Sequence, residues 1–201
     1  MAKNPRSARC VVSVFGSGGC SEDSDEFLTA YAVGKVLGGI ENILVQTGGT
    51  NTGTMKGVRL GVCDSGKATL LGYSTWGMQR AGLPLYPDGA YPTGQRCVLP
   101  STITRNTRLV AEADVLIVLP GMGGTLIELL TAFLMCWAPH EEEQLPRIIF
   151  VGDYWKTLLA EWKFPTGQSV WDYFNFAEKA VTIVDRPEEI LPLLPIKDQH
   201  A

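Results

Sequence analysis

A chain of 201 residues, 45% hydrophobic and 19% charged, is long enough to bury a proper core and too apolar to be disordered, so one folded domain over residues 1–201 is expected. A net charge of −4 and a pI near 5.2 exclude a general nucleic-acid binder. No run approaches the roughly 20 apolar residues of a membrane span, and residues 10–15 are too short for a signal peptide after Lys3, Arg6 and Arg9. The cysteines Cys10, Cys20, Cys63, Cys97 and Cys136 are odd in number, scattered and without C-x-x-C spacing, which points to reduced thiols and a cytoplasmic protein.

In chain order, residues 1–8 are polar and expected to fray. Cys10–Phe15 reads as a short buried strand, left through Gly16-Ser17-Gly18-Gly19. The acidic residues 22–26 suit a helix start, with Phe27, Leu28, Tyr31, Ala32 and Val36 at helical spacing and Gly38-Gly39 as the stop. Residues 43–46 form a second strand, left through Thr47-Gly48-Gly49-Thr50-Asn51-Thr52-Gly53. Three glycines and four small polar residues there let backbone approach a ligand closely, although Thr and Asn also stabilise plain turns. Helical composition resumes at Met55, and Lys56 and Arg59 read as solvated side chains or as extra charge for an anion pocket.

Residues 69–73 are a third strand. The connection 74–100 is long and carries Trp76, Tyr86 and Tyr91, which suit base stacking, packing or a subunit contact. Residues 102–112 are helical in pattern, with Ile103, Thr107 and Val110 inward and Arg105 nearer that side than Arg108. Residues 115–119 then form a fully buried strand, as in a parallel sheet. Pro120-Gly121-Met122-Gly123-Gly124 breaks it, and Thr125 is placed to cap the next helix, 125–137. A glycine-rich turn feeding a helix start is an anion site, most often for phosphate. Glu128 beside it suits either the helix dipole or a ribose.

Residues 140–143 (H-E-E-E) read as a solvated loop, since two histidines without H-x-x-H spacing make a poor metal site. Arg147–Val151 is a further buried strand, 153–162 and 169–180 are helices, Val181–Val184 is an edge strand, and 187–194 is a closing helix. Strands alternating with helices, three of them with glycine-rich exits, predict an α/β, Rossmann-like, doubly wound parallel sheet in three layers (α/β/α), with its ligand at the strands' carboxyl ends. Neither a dinucleotide G-x-G-x-x-G with its acidic partner nor a G-x-x-x-x-G-K-S/T is present.

T-G-G-T-N-T-G-T-M (residues 47–55) followed by R-N at 105–106 and L-P-G-M-G-G-T-L-I-E up to Glu128 resembles the LOG ("Lonely guy") phosphoribohydrolases, once labelled lysine decarboxylases. The resemblance implies a homodimer that splits the N-glycosidic bond of a nucleoside 5′-monophosphate, a cytokinin nucleotide or an AMP-like one, into free base and ribose 5-phosphate. It places Arg105 and Glu128 as catalytic residues. Ser17 in the first glycine-rich loop, Gly48, Gly49, Gly53 and Met55 in the second, and Gly121, Gly123, Gly124 and Thr125 would bind the nucleotide and its phosphate. No metal and no cofactor is needed: a carboxylate stabilises oxocarbenium character at the ribose while an anchored phosphate positions the sugar. Met122 stands where the LOG turn has glycine, Gly123 where it has a larger residue, and Asn106 where cytokinin-activating members have lysine. An R-N pair and a G-M-G turn are closer to the related molybdenum-cofactor carrier proteins. The first loop with Trp76-Gly77 is similar to the nucleotide-sensing domain of melastatin-type TRP channels. The alternative is therefore a protein that binds or carries a nucleotide or molybdenum cofactor without turnover. The expected partner is a small-molecule nucleotide, not nucleic acid or a membrane.

Overall fold

The structure, a computed structural model, describes residues 9–86, 94–137, 146–173 and 181–196. Among them are strands β1 (Cys10–Phe15), β2 (Ile43–Thr47), β3 (Thr69–Thr75), β4 (Gly94–Leu99), β5 (Val115–Val118), β6 (Arg147–Val151) and β7 (Val181–Val184). They form one sheet in the order β4-β3-β2-β1-β5-β6-β7, and every neighbouring pair is parallel. Parallel strands need helical crossovers, supplied by α1 (Asp25–Gly38), α2 (Gly53–Ser65), α3 (Trp76–Arg80), α4 (Thr102–Ala111), α5 (Gly123–Trp137), α6 (Asp153–Glu161) and α7 (Val170–Tyr173), with a 3-10 helix at Pro187–Leu193. The Rossmann-like α/β expectation holds. The strand order reverses between β1 and β5, which makes their carboxyl ends the switch point where ligands of such sheets bind.

Alternate residues of each strand feed two cores. Val12, Val14, Val45, Leu70 and Ile117 face α1 and α2, while Phe15, Tyr73, Leu116, Val118 and Phe150 face α4, α5 and α6. Ser13 and Gln46 interrupt the second face, and both are buried with partners. The Ser13 hydroxyl shares its one proton between the Leu109 carbonyl (2.6 Å) and Gln46 Oε1 (3.0 Å), and Gln46 Nε2 donates to Glu112 (3.2 Å). Tyr73 also donates to Glu112 (2.6 Å); burial first, and then this bond, push its phenol well above the ordinary tyrosine range. The network fastens α4 to the sheet with its buried polar groups satisfied.

Several expectations are corrected. Strand β4 lies inside the stretch read as a long connection; it is an edge strand whose G-Q-R-C start has no apolar run to mark it. In α1 the buried face is Phe27, Ala30, Val33, Gly34, Leu37 and Gly38, whereas Leu28 is exposed. Glycines rotate that face inward: a Cβ on Gly34 would strike the Val58 carbonyl of α2, and one on Gly61 the Tyr31 carbonyl of α1. In α4 the inward residues are Asn106, Leu109 and Val110, while Ile103 is 80% exposed and Thr107 is exposed too. Residues 1–8, Tyr91, the 140–143 loop and residues 174–180 of the helix expected over 169–180 lie outside the described residues.

Candidate functional site

Three glycine-rich strand exits meet at the switch point, and Ser17 joins them. Its N–H donates to the Pro120 carbonyl after β5 (3.3 Å). Its own carbonyl accepts from Thr54 N (2.8 Å) and Thr54 Oγ1 (2.9 Å) at the start of α2. Gly53 passes so close that a Cβ there would collide with the Ser17 carbonyl, and its φ of +51° is itself left-handed, so only glycine suits. The Ser17 hydroxyl accepts from Gly19 N (3.2 Å), holding the β1 exit as a tight turn.

Helix α5 opens at Gly123, which overturns Thr125 as its cap. The glycines extend the helix two residues earlier and leave Thr125 in the first turn, 2% exposed, its Oγ1 without a hydrogen-bond partner in the described structure. Gly121 fits beneath it, since a Cβ there would run into the Thr125 side chain. Around Gly123 and Gly124 a Cβ would meet nothing within 4 Å. The first turn of a helix has N–H groups without helical partners, and here that turn begins with two exposed glycines, Gly123 and Gly124, at the positive end of a 15-residue helix. Met122 is 64% exposed, with Cε 3.1 Å from where a Gly19 Cβ would stand, so it lies across the β1 exit.

Next to this turn, Arg105 of α4 and Glu128 of α5 meet: Arg105 Nη2 lies 3.0 Å from Glu128 Oε1. Gly48 forms the wall behind the guanidinium, since a Cβ there would collide with Nη2. Glu128 is 5% exposed. Burial pushes its carboxyl up to about 7, against the opposing pull of Arg105. The attraction of one guanidinium thus offsets only part of the cost of taking a carboxylate out of water. Asn106, beside Arg105, is buried with Oδ1 unpartnered in the described structure.

The remaining candidates have other surroundings. Gly49 (φ +72°) is packed against the β3 backbone, 2.8 Å from a Cβ there to the Tyr73 carbonyl. Met55 is a buried residue of the first turn of α2, 5% exposed. Lys56 pairs with Glu22 (2.5 Å), and Arg59 is half-buried. Tyr86, a stacking candidate by sequence, is 1% exposed and belongs to the core, while Trp76 is 54% exposed. Thr54 and the backbone of Ser17 were missed: one hydroxyl inside a helix start and two main-chain groups leave no side-chain signature. Among the described residues no cluster of His, Cys, Asp and Glu suits a metal, and no helix is long and apolar enough to cross a membrane.

Fold and site define a Rossmann-like protein whose glycine-rich strand exits meet at the switch point. Residues 9–136 match the SLOG cluster4 family model (LDcluster4), and the chain belongs to that family. Among solved structures it is similar to the molybdenum cofactor binding protein of the phototrophic bacterium Rippkaea orientalis, at 20% identity and TM-score 0.62 over 92% of this chain and 94% of that one. It is also similar to the molybdenum cofactor carrier protein of Chlamydomonas reinhardtii (17%, TM-score 0.61, 92% and 95%). A third similar structure is TM1055, a structural-genomics target (21%, TM-score 0.54, 92% and 97%). At such identities the likeness is one of fold. No curated protein sequence matches.

Proposed function

We propose that the chain hydrolyses the N-glycosidic bond of a nucleoside 5′-monophosphate, a cytokinin riboside monophosphate or an AMP-like one. The observation that carries this reading is the buried Arg105–Glu128 pair beside the open first turn of α5. In it the 5′-phosphate lies on the N–H groups of Gly123 and Gly124, with the Thr125 hydroxyl as a further donor. The ribose then faces Glu128, whose carboxylate stabilises positive charge at C1′ as the base departs with its electron pair. Water adds to C1′, and its proton balances the departing base, giving free base and ribose 5-phosphate. Arg105 holds Glu128 in place and offers its remaining N–H groups to the nucleotide. Ser17, Gly48, Gly49, Gly53 and Met55 shape the loops around this site rather than react.

A second reading, a nucleotide or molybdenum-cofactor binder without turnover, is favoured by Met122 lying across the β1 exit and by Asn106 beside Arg105. Base release from a panel of nucleoside 5′-monophosphates, isopentenyladenosine monophosphate included, is expected where the matching nucleosides give none. Gly124→Val is expected to fold normally, because its Cβ meets nothing, yet to weaken monophosphate binding by about tenfold through blocked backbone approach. No release from any monophosphate, with a thermal shift by molybdopterin or a nucleotide, would favour the binder.

The same reading includes a homodimer. Helix α5 has one charge in fifteen residues, the buried Glu128, and Ile127, Leu130 and Leu134 are exposed at helical spacing on its outer side. A helix so short of charge is normally covered. Light scattering is expected to give twice the chain mass, and Leu134→Asp to give a monomer; a monomeric parent protein would end the dimer proposal.

A further inference from the structure

The segment after α3 returns along the second glycine-rich loop. Asn51 N–H donates to the Pro84 carbonyl (2.8 Å), Tyr86 N–H donates to the Gly49 carbonyl (2.9 Å), and Thr50 and Leu85 pair as an isolated antiparallel bridge. Beneath these contacts runs a buried chain of side-chain bonds. Gly49 N–H donates to Thr47 Oγ1 (3.3 Å), the Thr47 hydroxyl donates to Tyr86 Oη (2.8 Å), and the Tyr86 hydroxyl donates to the Met55 carbonyl (2.8 Å). Thr47 is 0% and Tyr86 1% exposed, and both hydroxyls are bonded within this chain, which spans the loop from the residue before it to the helix after it. The Tyr86 ring is seated on bare backbone, since a Cβ on Gly72 would strike it. Residues 48–51 are thereby held between β3 and the returning segment. Their other side is the wall of Arg105: Gly48 abuts Nη2, and Arg105 Nε makes no hydrogen bond in the described structure.

We propose that Tyr86 is a positioning residue of the candidate site: by fastening the Gly48–Gly49 backbone it fixes the Arg105 guanidinium against Glu128. The catalytic part of this inference rests on the phosphoribohydrolase reading; the structural part does not. Tyr86→Phe keeps the ring on Gly72 and removes only the hydroxyl. Thr47→Val breaks the same chain from its other end, and Thr47→Ser keeps it.

The test uses the whole ligand-free protein and then AMP. In Tyr86→Phe and Thr47→Val, amide exchange at Gly48, Gly49 and Asn51 is expected to rise about tenfold with α6 unchanged. The Arg105 Nε–H resonance is expected to shift and exchange faster, and kcat for adenine release to fall about tenfold with KM nearly constant. Thr47→Ser is expected to match the parent protein in all three. An unchanged Arg105 resonance in both chain-breaking variants, whether or not loop exchange rises, would overturn the proposal by leaving Tyr86 a packing residue. If the parent protein releases no base from any monophosphate, the enzymatic reading fails by itself, and the Arg105 resonance still decides the role of Tyr86.

Discussion

Glu128→Gln is expected to lower base release from nucleoside monophosphates by about 10²–10³-fold, the scale of removing one preorganised electrostatic partner of the transition state. The amide is nearly isosteric and still accepts a hydrogen bond from Arg105, so nucleotide affinity should change by less than about threefold. A second signature follows from burial. The carboxyl titrates near 7 in the fold against an ordinary value of 4.5. Between those values the native state holds a proton that the unfolded chain has lost. The stability linked to that proton is fully present below 4.5 and is lost as pH rises to about 7, in all about 3 kcal/mol at ~1.4 kcal/mol per unit. Relative to the parent protein, Glu128→Gln should therefore gain stability as pH is raised from 5 to 8. Since the proposed reaction uses the carboxylate, kcat/KM of the parent should rise over the same interval, with an inflection near 7. Urea titrations and initial rates at a series of pH values check both trends. Parallel stability curves for the two proteins would remove the raised titration, and undiminished turnover would remove Glu128 from the chemistry.

Gly61→Ala is expected to destabilise the fold by about 2 kcal/mol or more, although in an exposed helix the same change stabilises by about 1 kcal/mol. The new Cβ would overlap the Tyr31 carbonyl and stand 2.6 Å from Lys35 N and 2.8 Å from Gly34 C. All three neighbours are backbone atoms of α1, so no rotamer change relieves the contact and the two helices must part. Gly39→Ala makes the control, because its Cβ would sit in ordinary contact at 3.5 Å from the Lys35 carbonyl. Thermal melts should show Gly61→Ala lower by about 5 °C or more, at about 2–4 °C per kcal/mol for this chain length, and Gly39→Ala close to the parent. A raised melting temperature in Gly61→Ala would mean that α1 and α2 are farther apart than the structure has them.

What the sequence made legible follows from where the information sits. β5 and its exit are plain, since uninterrupted apolar residues are followed at once by a glycine-rich break, and Arg105 and Glu128 stand in a two-part motif. The structure brings those two side chains into contact, while their roles remain a proposal. Periodicity failed where glycine packs the face: Gly34 and Gly38 are buried contacts of α1 that a hydrophobic pattern counts as blanks. It failed again at Ile103, an apolar residue at the outer side of α4, and at β4, whose partner strand lies on one side only. Ser17 was within a recognised glycine-rich exit, yet its junction of three loops is made mainly by main-chain N–H and C=O, which every residue has. Tyr86 contacts a loop more than thirty residues earlier through a segment without regular structure, and no local spacing encodes that.

The central pairing of β1 with β5 also sets a timetable. Val12 lies beside Val115, and the Val11 amide donates to Asp114, 103 residues further along the chain. Strands β1 to β4 can associate in sequence order as they leave the ribosome, but the crevice between β1 and β5 has no second wall until that distant strand is made. Contacts of such sequence separation are slow to close. Nascent chains halted before residue 115 should therefore acquire the α1–α2 packing and yet retain no nucleotide, the opening at the switch point being among the last features to mature.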